Sequence, residues 1–293
     1  MDLDFSRTVT VLRFSQGALR AHEDSLATEE PLEIKVTFVR GATVVSRSLS
    51  ITMRTPGNDP ELAAGFLFSE GLVRNPGDIE SIERSDPLHS TPDAQNRVRV
   101  VLRAGVEVDL QRLERHFYTT SSCGVCGKTS LDALTSQHDL RLHDSGLVMD
   151  AERILGMPKT LRNAQTLFEQ TGGLHGAALF DPSGTLVCAR EDVGRHNAVD
   201  KVIGSQFLAG LAPLSERVLL VSGRASFELM QKALVAGIPV LAAVGAPSSL
   251  AVDLARTYGA TLLGFVRDGR MNVYSGAHRL KQSREPSVLT HTP

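Results

Sequence analysis

Two cysteines three residues apart are the residues of this sequence best suited to chemistry. Cys123 and Cys126 stand in the run TTSSCGVCGK, whose glycines and hydroxyl residues are typical of a mobile loop. Lys128, Arg115 and His116 lie nearby in the sequence. Positive charges of this kind lower the pKa of a thiol from about 8.5 toward neutrality, and the thiolate is the nucleophile. A nucleophilic thiolate on such a loop is suited to carrying sulfur as a persulfide.

Three other interpretations of the cysteine pair stay open. A structural zinc ion needs four ligands, and apart from the pair only Cys188 and scattered histidines remain. A thioredoxin-type redox pair lies at a helix N-terminus after the first strand of its fold, whereas this pair follows a predicted helix at 110–117. A surface loop without a chemical task is the third. Persulfide transfer is the interpretation that we favour.

Composition narrows the class of protein. Thirty-one basic and 33 acidic residues give a net charge of −2, so no global basic field favours nucleic acid or an anionic membrane. The N-terminal run MDLDFSRTVTVLRF lacks the basic region and the long apolar stretch that are typical of a signal peptide, and no apolar run reaches the length of about 18 residues that a membrane span needs. Three cysteines cannot form a disulfide framework. These features predict a cytoplasmic protein that binds neither nucleic acid nor membrane.

The second half of the chain alternates strands and helices. A long helix is predicted at 151–170, and the pattern that follows is β-α-β-α-β, which favours parallel strands with helices on both faces of the sheet. Predicted strands lie at 176–180, 185–190, 217–221, 239–244 and 261–266, and predicted helices at 195–208, 226–235 and 248–258.

The first half predicts a smaller α+β region. A hairpin at 32–53 is followed by a helix at 61–72 with Asp59 as its cap, and by a strand at 97–102. The first 25 or so residues have no clear period, and 74–96 is polar and rich in turns.

These patterns give an expected domain organisation and fold class. We expect an N-terminal α+β region over 1–139 that ends in the Cys-x-x-Cys loop, an α/β domain over 140–280 and a flexible tail over 281–293. The α/β pattern is similar to the cytidine deaminase-like architecture, a mixed sheet flanked by helices. A zinc deaminase needs His-x-Glu followed by Pro-Cys-x-x-Cys, and neither the run His175-Gly176-Ala177 nor the order of the motifs fits.

Polar turns follow the predicted parallel strands and form the second candidate site. Ligands of open α/β sheets bind at the carboxyl ends of the strands, where backbone N–H groups and helix N-termini receive phosphate. Arginines there can clamp phosphate with two hydrogen bonds, and an aspartate can accept from a guanine amino group. The alternative is that the glycines only make turns and the arginines are solvated. The candidates are Ser222, Gly223 and Arg224, residues 245–249, and Phe265, Val266, Arg267, Asp268, Gly269 and Arg270.

A third group of polar residues surrounds the predicted strand 176–180. The segments TGGLHG at 171–176 and EDVGRHNAVDK at 191–201 hold more polar residues than helix capping needs, so some of them should face a site. The side chains proposed for this site are His175, Arg195 and His196, and no metal ion is assigned to it.

Five segments of the chain together resemble the FdhD family of formate dehydrogenase accessory sulfurtransferases. They occur in the expected order and span roughly residues 29 to 280: MRTPGNDPELAAGFLFSEGL, SSCGVCGK, TGGLHGAALF, EDVGRHNAVDK and GFVRDGRMNVYSG. The resemblance implies a homodimeric protein with a cytidine deaminase-like fold.

The same resemblance implies an activity and its partners. Such a protein accepts sulfur from a cysteine desulfurase and passes it to the molybdenum cofactor, bis(molybdopterin guanine dinucleotide), before the cofactor enters the formate dehydrogenase apoenzyme. Cys123 would carry the persulfide, with Cys126 as its neighbour in the loop. The stretch from Phe265 to Arg270 would contact the guanine dinucleotide. The alternative function is a nucleotide-binding chaperone of a molybdoenzyme, whose cysteines bind a metal ion or act in redox chemistry.

Overall fold

The structure, a computed structural model, describes residues 5–84, 96–106, 108, 142 and 146–281. The predicted helix at 110–117, Cys123 and Cys126, and residues 282–293 of the predicted tail lie outside the described residues. Within the described part of the chain, no helix is both long and apolar enough to span a membrane.

The N-terminal elements are six strands and one long helix among the residues described before 107. Strands β3, β4, β5 and β6 form a mixed sheet in the order β4-β3-β6-β5, while β1 and β2 form a separate hairpin. The bounds are β1 Ser6–Ser15, β2 Ala18–Ala27, β3 Glu30–Arg40, β4 Thr43–Arg54, α1 Asp59–Ser69, β5 Ile79–Glu83 and β6 Arg97–Leu102.

Side-chain periodicity explains which of these elements the sequence predicted. Leu32, Ile34 and Val36 alternate with more exposed residues along β3 and are almost fully buried, which gives the hairpin β3–β4 its period of two. Most residues of β1 and β2 are instead exposed on both faces, so their segment has no period to detect. Strand β5 was also missed, because it is only five residues long and lies in a polar stretch.

The predicted cap of α1 was wrong. Asn58 occupies the N-cap position with a left-handed backbone, φ 57°, and its side chain makes no capping hydrogen bond. The carboxylate of Asp59 turns instead to Arg54, whose Nε and Nη2 donate to it at 3.0 and 3.3 Å in the interior. A buried guanidinium requires such a partner, and this requirement outweighs the capping preference.

The larger sheet has six strands in the order β13-β12-β11-β10-β8-β9. Strands β10, β11 and β12 are parallel, whereas β8, β9 and β13 run antiparallel to their neighbours, so the predicted mixed sheet flanked by helices is confirmed. The bounds are β7 Met149–Asp150, α2 Ala151–Ala164, α3 Thr166–Thr171, β8 His175–Phe180, β9 Leu186–Asp192, α4 Arg195–Leu208, β10 Val218–Val221, α5 Phe227–Val235, β11 Val240–Ala243, α6 Ser249–Thr257, β12 Thr261–Arg267, β13 Arg270–Ser275 and β14 Leu280–Lys281.

Helices cover both faces of this sheet. Along β8, Ala177 and Leu179 point into the hydrophobic cluster that contains α4, α5 and α6, whereas Ala178 and Phe180 point into the cluster that contains α2. The short strand β14 pairs with β7 and so joins the last described residues to the start of α2.

Helices α1 and α4 connect the two sheets through an unusually close crossing. An alanine Cβ at Gly65 would overlap the backbone carbonyl of Asp200, and one at Gly204 would overlap that of Glu61. Small residues at both positions let the helix backbones touch. One buried hydrophobic cluster consequently contains residues of both sheets.

The predicted helix at 151–170 is interrupted at Gln165. This residue has φ −88° and ψ 73°, outside the helical region, and it separates α2 from α3. Its side chain is buried against Gly176 at the start of β8. The interruption places α3 and the glycines that follow it beside the carboxyl ends of the parallel strands.

Candidate functional site

Hydrogen bonds between strand ends bring three predicted turns together at the carboxyl edge of the larger sheet. The N–H of Ser222 donates to the carbonyl of Gly176 at 2.9 Å, and the N–H of Gly245 donates to that of Gly223 at 2.9 Å. The N–H of Phe265 donates to the carbonyl of Gly245 at 3.0 Å. The turns after β10, β11 and β12 therefore line one edge. These N–H groups are already engaged and are not free to receive phosphate.

A cavity of about 580 Å³ opens at this edge, between the α2–α3 junction and the ends of β10 and β11. Both the segment TGGLH and the turn after β10 line this cavity, although the two were predicted from the sequence as separate candidate sites. Its walls combine apolar and polar side chains. Pro158, Leu161, Phe168, Leu174 and Val244 are apolar, and Arg162, Gln165, His175 and Ser222 are polar.

His175 is a neutral hydrogen-bonding group at this cavity. Burial lowers the pKa of its imidazole below the ordinary 6.5, and the positive charge of Arg195 lowers it further. Asp192 opposes the shift and His196 adds to it. The Nδ1 atom of His175 faces Gly223, where an added Cβ would lie 3.5 Å away. At neutral pH the imidazole therefore offers one donor and one acceptor.

Ser222 and Gln165 are the other buried or half-buried polar groups of the wall. The hydroxyl oxygen of Ser222 accepts from the N–H of Gly176 at 2.9 Å, which leaves its own proton to donate. Gln165 is only 4% exposed. Sequence analysis missed Gln165, because a single glutamine inside a predicted helix carries no pattern that distinguishes it from a surface residue.

The predicted pair Arg195 and His196 is divided between two places. Both lie at the start of α4, where Arg195 is close enough to His175 to lower its pKa. His196 also contributes to the lowered pKa of His175, but its own side chain lines a smaller cavity of about 320 Å³ between α1, α4, α5 and β4. Its Nε2 atom lies 3.8 Å from the carboxylate of Glu228.

The sequence model of the FdhD/NarQ family matches residues 27–281. This chain belongs to the FdhD/NarQ family. A relative from Streptomyces avermitilis named sulfur carrier protein FdhD is 51% identical over 274 residues, which cover 92% of this chain and 94% of that protein. A relative of the same name from Thermoplasma acidophilum is 42% identical over 275 residues, covering 94% of this chain and 93% of that protein.

A solved structure shares the fold of this FdhD/NarQ chain. It is a crystal structure of a protein described as a formate dehydrogenase accessory protein from Desulfotalea psychrophila, with a TM-score of 0.71 and 26% sequence identity. The alignment covers 95% of this chain and 100% of the crystallised one.

Much of the FdhD segment EDVGRHNAVDK is structural. The ammonium of Lys201 lies 2.7 Å from the carboxylate of Asp192, and both groups are almost fully buried. Asp192 also accepts from the side chain of Asn197 at 3.0 Å. Asp200 pairs with Lys232 of α5 at 2.8 and 2.9 Å. The polar residues in excess of capping therefore mainly hold α4 against its neighbours.

The FdhD segment from Phe265 to Arg270 forms a tight hairpin at the end of β12. Asp268 and Gly269 have φ values of 53° and 68°, as a two-residue turn between paired strands requires, and Arg267 pairs with Arg270 across it. The turn alone accounts for the Asp-Gly pair. Arg267 is half exposed, and its Nε lies 3.8 Å from the carboxylate of Asp268. Val266 is buried in the core, so it cannot contact a ligand directly.

Cys188 is a poor candidate for sulfur chemistry. Burial raises the pKa of its thiol, and its Sγ lies 3.8 Å from the hydroxyl of Ser205 and 3.7 Å from the amide of Gln206. A protonated, partly buried thiol behaves as a small apolar residue. The described residues also contain no group of three or more His, Cys, Asp or Glu side chains arranged to hold a metal ion.

Proposed function

We propose that this protein is a sulfur carrier that serves a formate dehydrogenase. It accepts sulfur from a cysteine desulfurase on Cys123 and passes it to the bis(molybdopterin guanine dinucleotide) molybdenum cofactor before the cofactor enters the apoenzyme. The observation that carries the proposal is the relative named sulfur carrier protein FdhD, which is 51% identical over 92% of this chain. The family match at 27–281 includes both cysteines of the pair.

The first step is an exchange at sulfur. The thiolate of Cys123 attacks the outer sulfur of a persulfide on the desulfurase, a new S–S bond forms, and the desulfurase cysteine leaves as a thiolate. The charge is conserved, and no external oxidant is needed. In the second step the outer sulfur moves from Cys123 to reduced molybdenum, which supplies the two electrons that convert it to a sulfide ligand. Cys123 leaves as a thiolate and can be loaded again.

The cofactor is the substrate, and the carboxyl edge of the larger sheet is where we place its guanine dinucleotide. The cavity of about 580 Å³ at this edge falls within the range of about 300–1,000 Å³ found for small-molecule sites. Arg224, Arg267 and Arg270 are exposed on the turns of the same edge and can pair with diphosphate. In this role the exposed guanidinium groups take the place of the backbone N–H groups at the strand ends, which are already hydrogen-bonded within the sheet.

Mass spectrometry of the loaded protein tests sulfur carriage. After incubation with a cysteine desulfurase and cysteine, the peptide containing Cys123 should gain the mass of one sulfur atom. The variant Cys123→Ala should lose the adduct, whereas Cys188→Ala, the control, should load like the wild type because its thiol is protonated and partly buried. Stoichiometric zinc with no adduct would instead support a nucleotide-binding chaperone with a metal-binding cysteine pair.

The assembly state and cellular compartment belong to the same proposal. We expect a homodimer in the cytoplasm, where a cysteine desulfurase and the apoenzyme are both present. Sedimentation at micromolar concentration should give twice the mass of 31.6 kDa. A monomer with full persulfide loading would remove the dimer from the proposal without affecting sulfur carriage.

A further inference from the structure

The end of the hairpin β1–β2, residues 12–21, is exposed on both faces. Every residue from Leu12 to Ala21 is exposed, and four residues of each strand at about 3.4 Å per residue place the turn roughly 14 Å beyond Val11. A two-stranded hairpin is at best marginally stable in water unless another surface covers it. All but the last residue of the hairpin also precedes the residues that the family model matches, 27–281. This hairpin end is therefore a surface that the proposed sulfur chemistry does not use.

The two faces of the hairpin end differ in chemistry. Leu12, Phe14 and Leu19 share an apolar face, since Phe14 pairs with Leu19 across the strands, and these residues are between 62% and 70% exposed. Arg13 pairs with Arg20 on the opposite face. Like charges directly opposite each other destabilise a strand pair, and the hairpin end contains no acidic residue to offset them. An acidic surface that covered the arginines would remove this repulsion.

A cavity of opposite charge lies between α1, α4, α5 and β4. It is the cavity of about 320 Å³ that His196 lines, and three carboxylates and one ammonium group also line it. The charged residues are Glu70, Asp200, Glu228 and Lys232. The net charge of this lining is negative whether His196 is protonated or neutral.

Glu228 is the most accessible of the three carboxylates. Its side chain is 58% exposed, against 24% for Glu70 and 4% for Asp200. The neighbouring imidazole of His196 lowers the pKa of Glu228 to about 2, so the carboxylate is ionised at neutral pH. Asp200 is already paired with Lys232 at 2.8 and 2.9 Å. A guanidinium group at the mouth of the cavity would therefore meet Glu228 first.

The remaining walls of this cavity suit protein side chains. Met53, Leu62 and Phe66 are apolar, and Met53 is 47% exposed. The volume lies at the lower end of the range of about 300–1,000 Å³ found for small-molecule sites. Arginine and aromatic residues, which the hairpin end presents, are the types enriched at protein interfaces.

We propose that the hairpin end of one copy of the chain docks on this cavity in a second copy, with Arg13 and Arg20 against Glu228. Each copy carries both surfaces, so a twofold axis makes the contact twice and packs the apolar faces of the two hairpins together. The hairpin end does not fill the cavity of its own copy, because all of its residues are exposed. The proposal rests on the proposed function only for the existence of a homodimer, and it assigns the surfaces that form it.

Charge reversal on either side of the contact tests this proposal. The hairpin variant carries Arg13→Glu and Arg20→Glu, and the cavity variant carries Glu228→Arg. Sedimentation equilibrium of the full-length protein should show a dimer Kd at least about tenfold above that of the wild type for each variant alone, because like charges then face each other in both contacts.

A one-to-one mixture of the two variants should dimerise as the wild type does. In the mixed dimer, one contact joins the two reversed surfaces and the other joins two unaltered ones, so opposite charges meet in both. A variant that was merely misfolded would not recover in the mixture.

Matched controls change the same charges elsewhere. Arg40→Glu reverses an exposed arginine at the end of the hairpin β3–β4. Glu152→Arg reverses an exposed glutamate in the first turn of α2, the position that Glu228 has in α5. Neither substitution should change the Kd of the dimer.

The results also distinguish this inference from the proposed function. If charge reversal leaves the Kd unchanged, or if the mixture stays as dissociated as its components, the inference is wrong. A wild type that is monomeric at every concentration would contradict both the inference and the proposed homodimer. Persulfide formation on Cys123 is measured separately, and its loss in a protein whose dimer keeps this charge dependence would remove sulfur carriage and leave the docking surfaces in place.

Discussion

At the scale of single residues, the buried ion pair of Lys201 and Asp192 constrains the region around the candidate site. The carboxylate also accepts from the N–H of Thr55 at 3.3 Å and from that of Gly194 at 2.8 Å. Thr55 follows β4, so the pair joins the smaller sheet to α4. Charges so far from water are stable only while every partner remains.

We predict a large loss of stability for Lys201→Met. The substitution leaves the carboxylate of Asp192 buried without a counter-charge, which typically costs about 3–5 kcal/mol of unfolding free energy. Urea denaturation measures this loss of unfolding free energy. Arg162→Met is the matched control, since Arg162 and Glu169 form an exposed pair at 2.9 Å and its loss should cost less than about 1 kcal/mol. Equal effects of the two substitutions would contradict the account.

His175 predicts a pH dependence that can be followed at one residue. Burial and Arg195 lower the pKa of its imidazole, so the folded protein keeps His175 neutral at pH values where the unfolded chain is protonated. The stability that the neutral form contributes is complete above pH 6.5 and declines as the pH falls below that value. NMR titration should give a midpoint below 6.5 that rises in Arg195→Gln. A midpoint at or above 6.5 in the wild type would show that the site is more open than described.

At the scale of elements, the crossing of α1 and α4 fixes the position of the candidate site relative to the smaller sheet. Gly65 and Gly204 permit backbone contact between the two helices. A larger residue at either position must separate the helices and move the start of α4, where Arg195 and His196 lie.

We therefore predict opposite effects for two glycine-to-alanine substitutions in helices. Gly65→Ala should destabilise by at least about 1–3 kcal/mol, because its Cβ would collide with backbone that cannot rotate away. Gly156→Ala in α2 meets no atom within 4 Å and should stabilise by about 0.5–1 kcal/mol through helix propensity. Thermal melts of both variants measure these changes in stability. If Gly65→Ala left the melting temperature unchanged, the close crossing of α1 and α4 would be disproved.

The elements also show what the sequence could predict. Helix α4 was predicted with its observed bounds, Arg195–Leu208, as part of the alternation of strands and helices in the second half of the chain. The break at Gln165 was not predicted, because it depends on a tertiary contact with Gly176. Asp59 was assigned as a cap, because the sequence does not reveal that Arg54 is buried beside it.

At the scale of the whole molecule, motifs that are far apart in the sequence meet through the two sheets. The segments at 171–176 and 222–224 share one cavity, whereas the sequence could place them only at the ends of separate strands. Some residues of the segment 191–201 lie near that site, whereas others hold α4 in contact with α1 and α5. Tertiary packing determines which of its polar residues face a ligand. No local sequence pattern shows that packing.

Delivery of sulfur is the measurement that tests the central claim most directly. The protein is loaded with labelled sulfur through a cysteine desulfurase, freed of small molecules, and mixed with the reduced molybdenum cofactor and apo-formate dehydrogenase. We predict that the label leaves Cys123 and appears in the cofactor of an active dehydrogenase, and that Cys123→Ala gives neither label nor activity. Label that stays on the protein while the dehydrogenase becomes active without it would contradict the account.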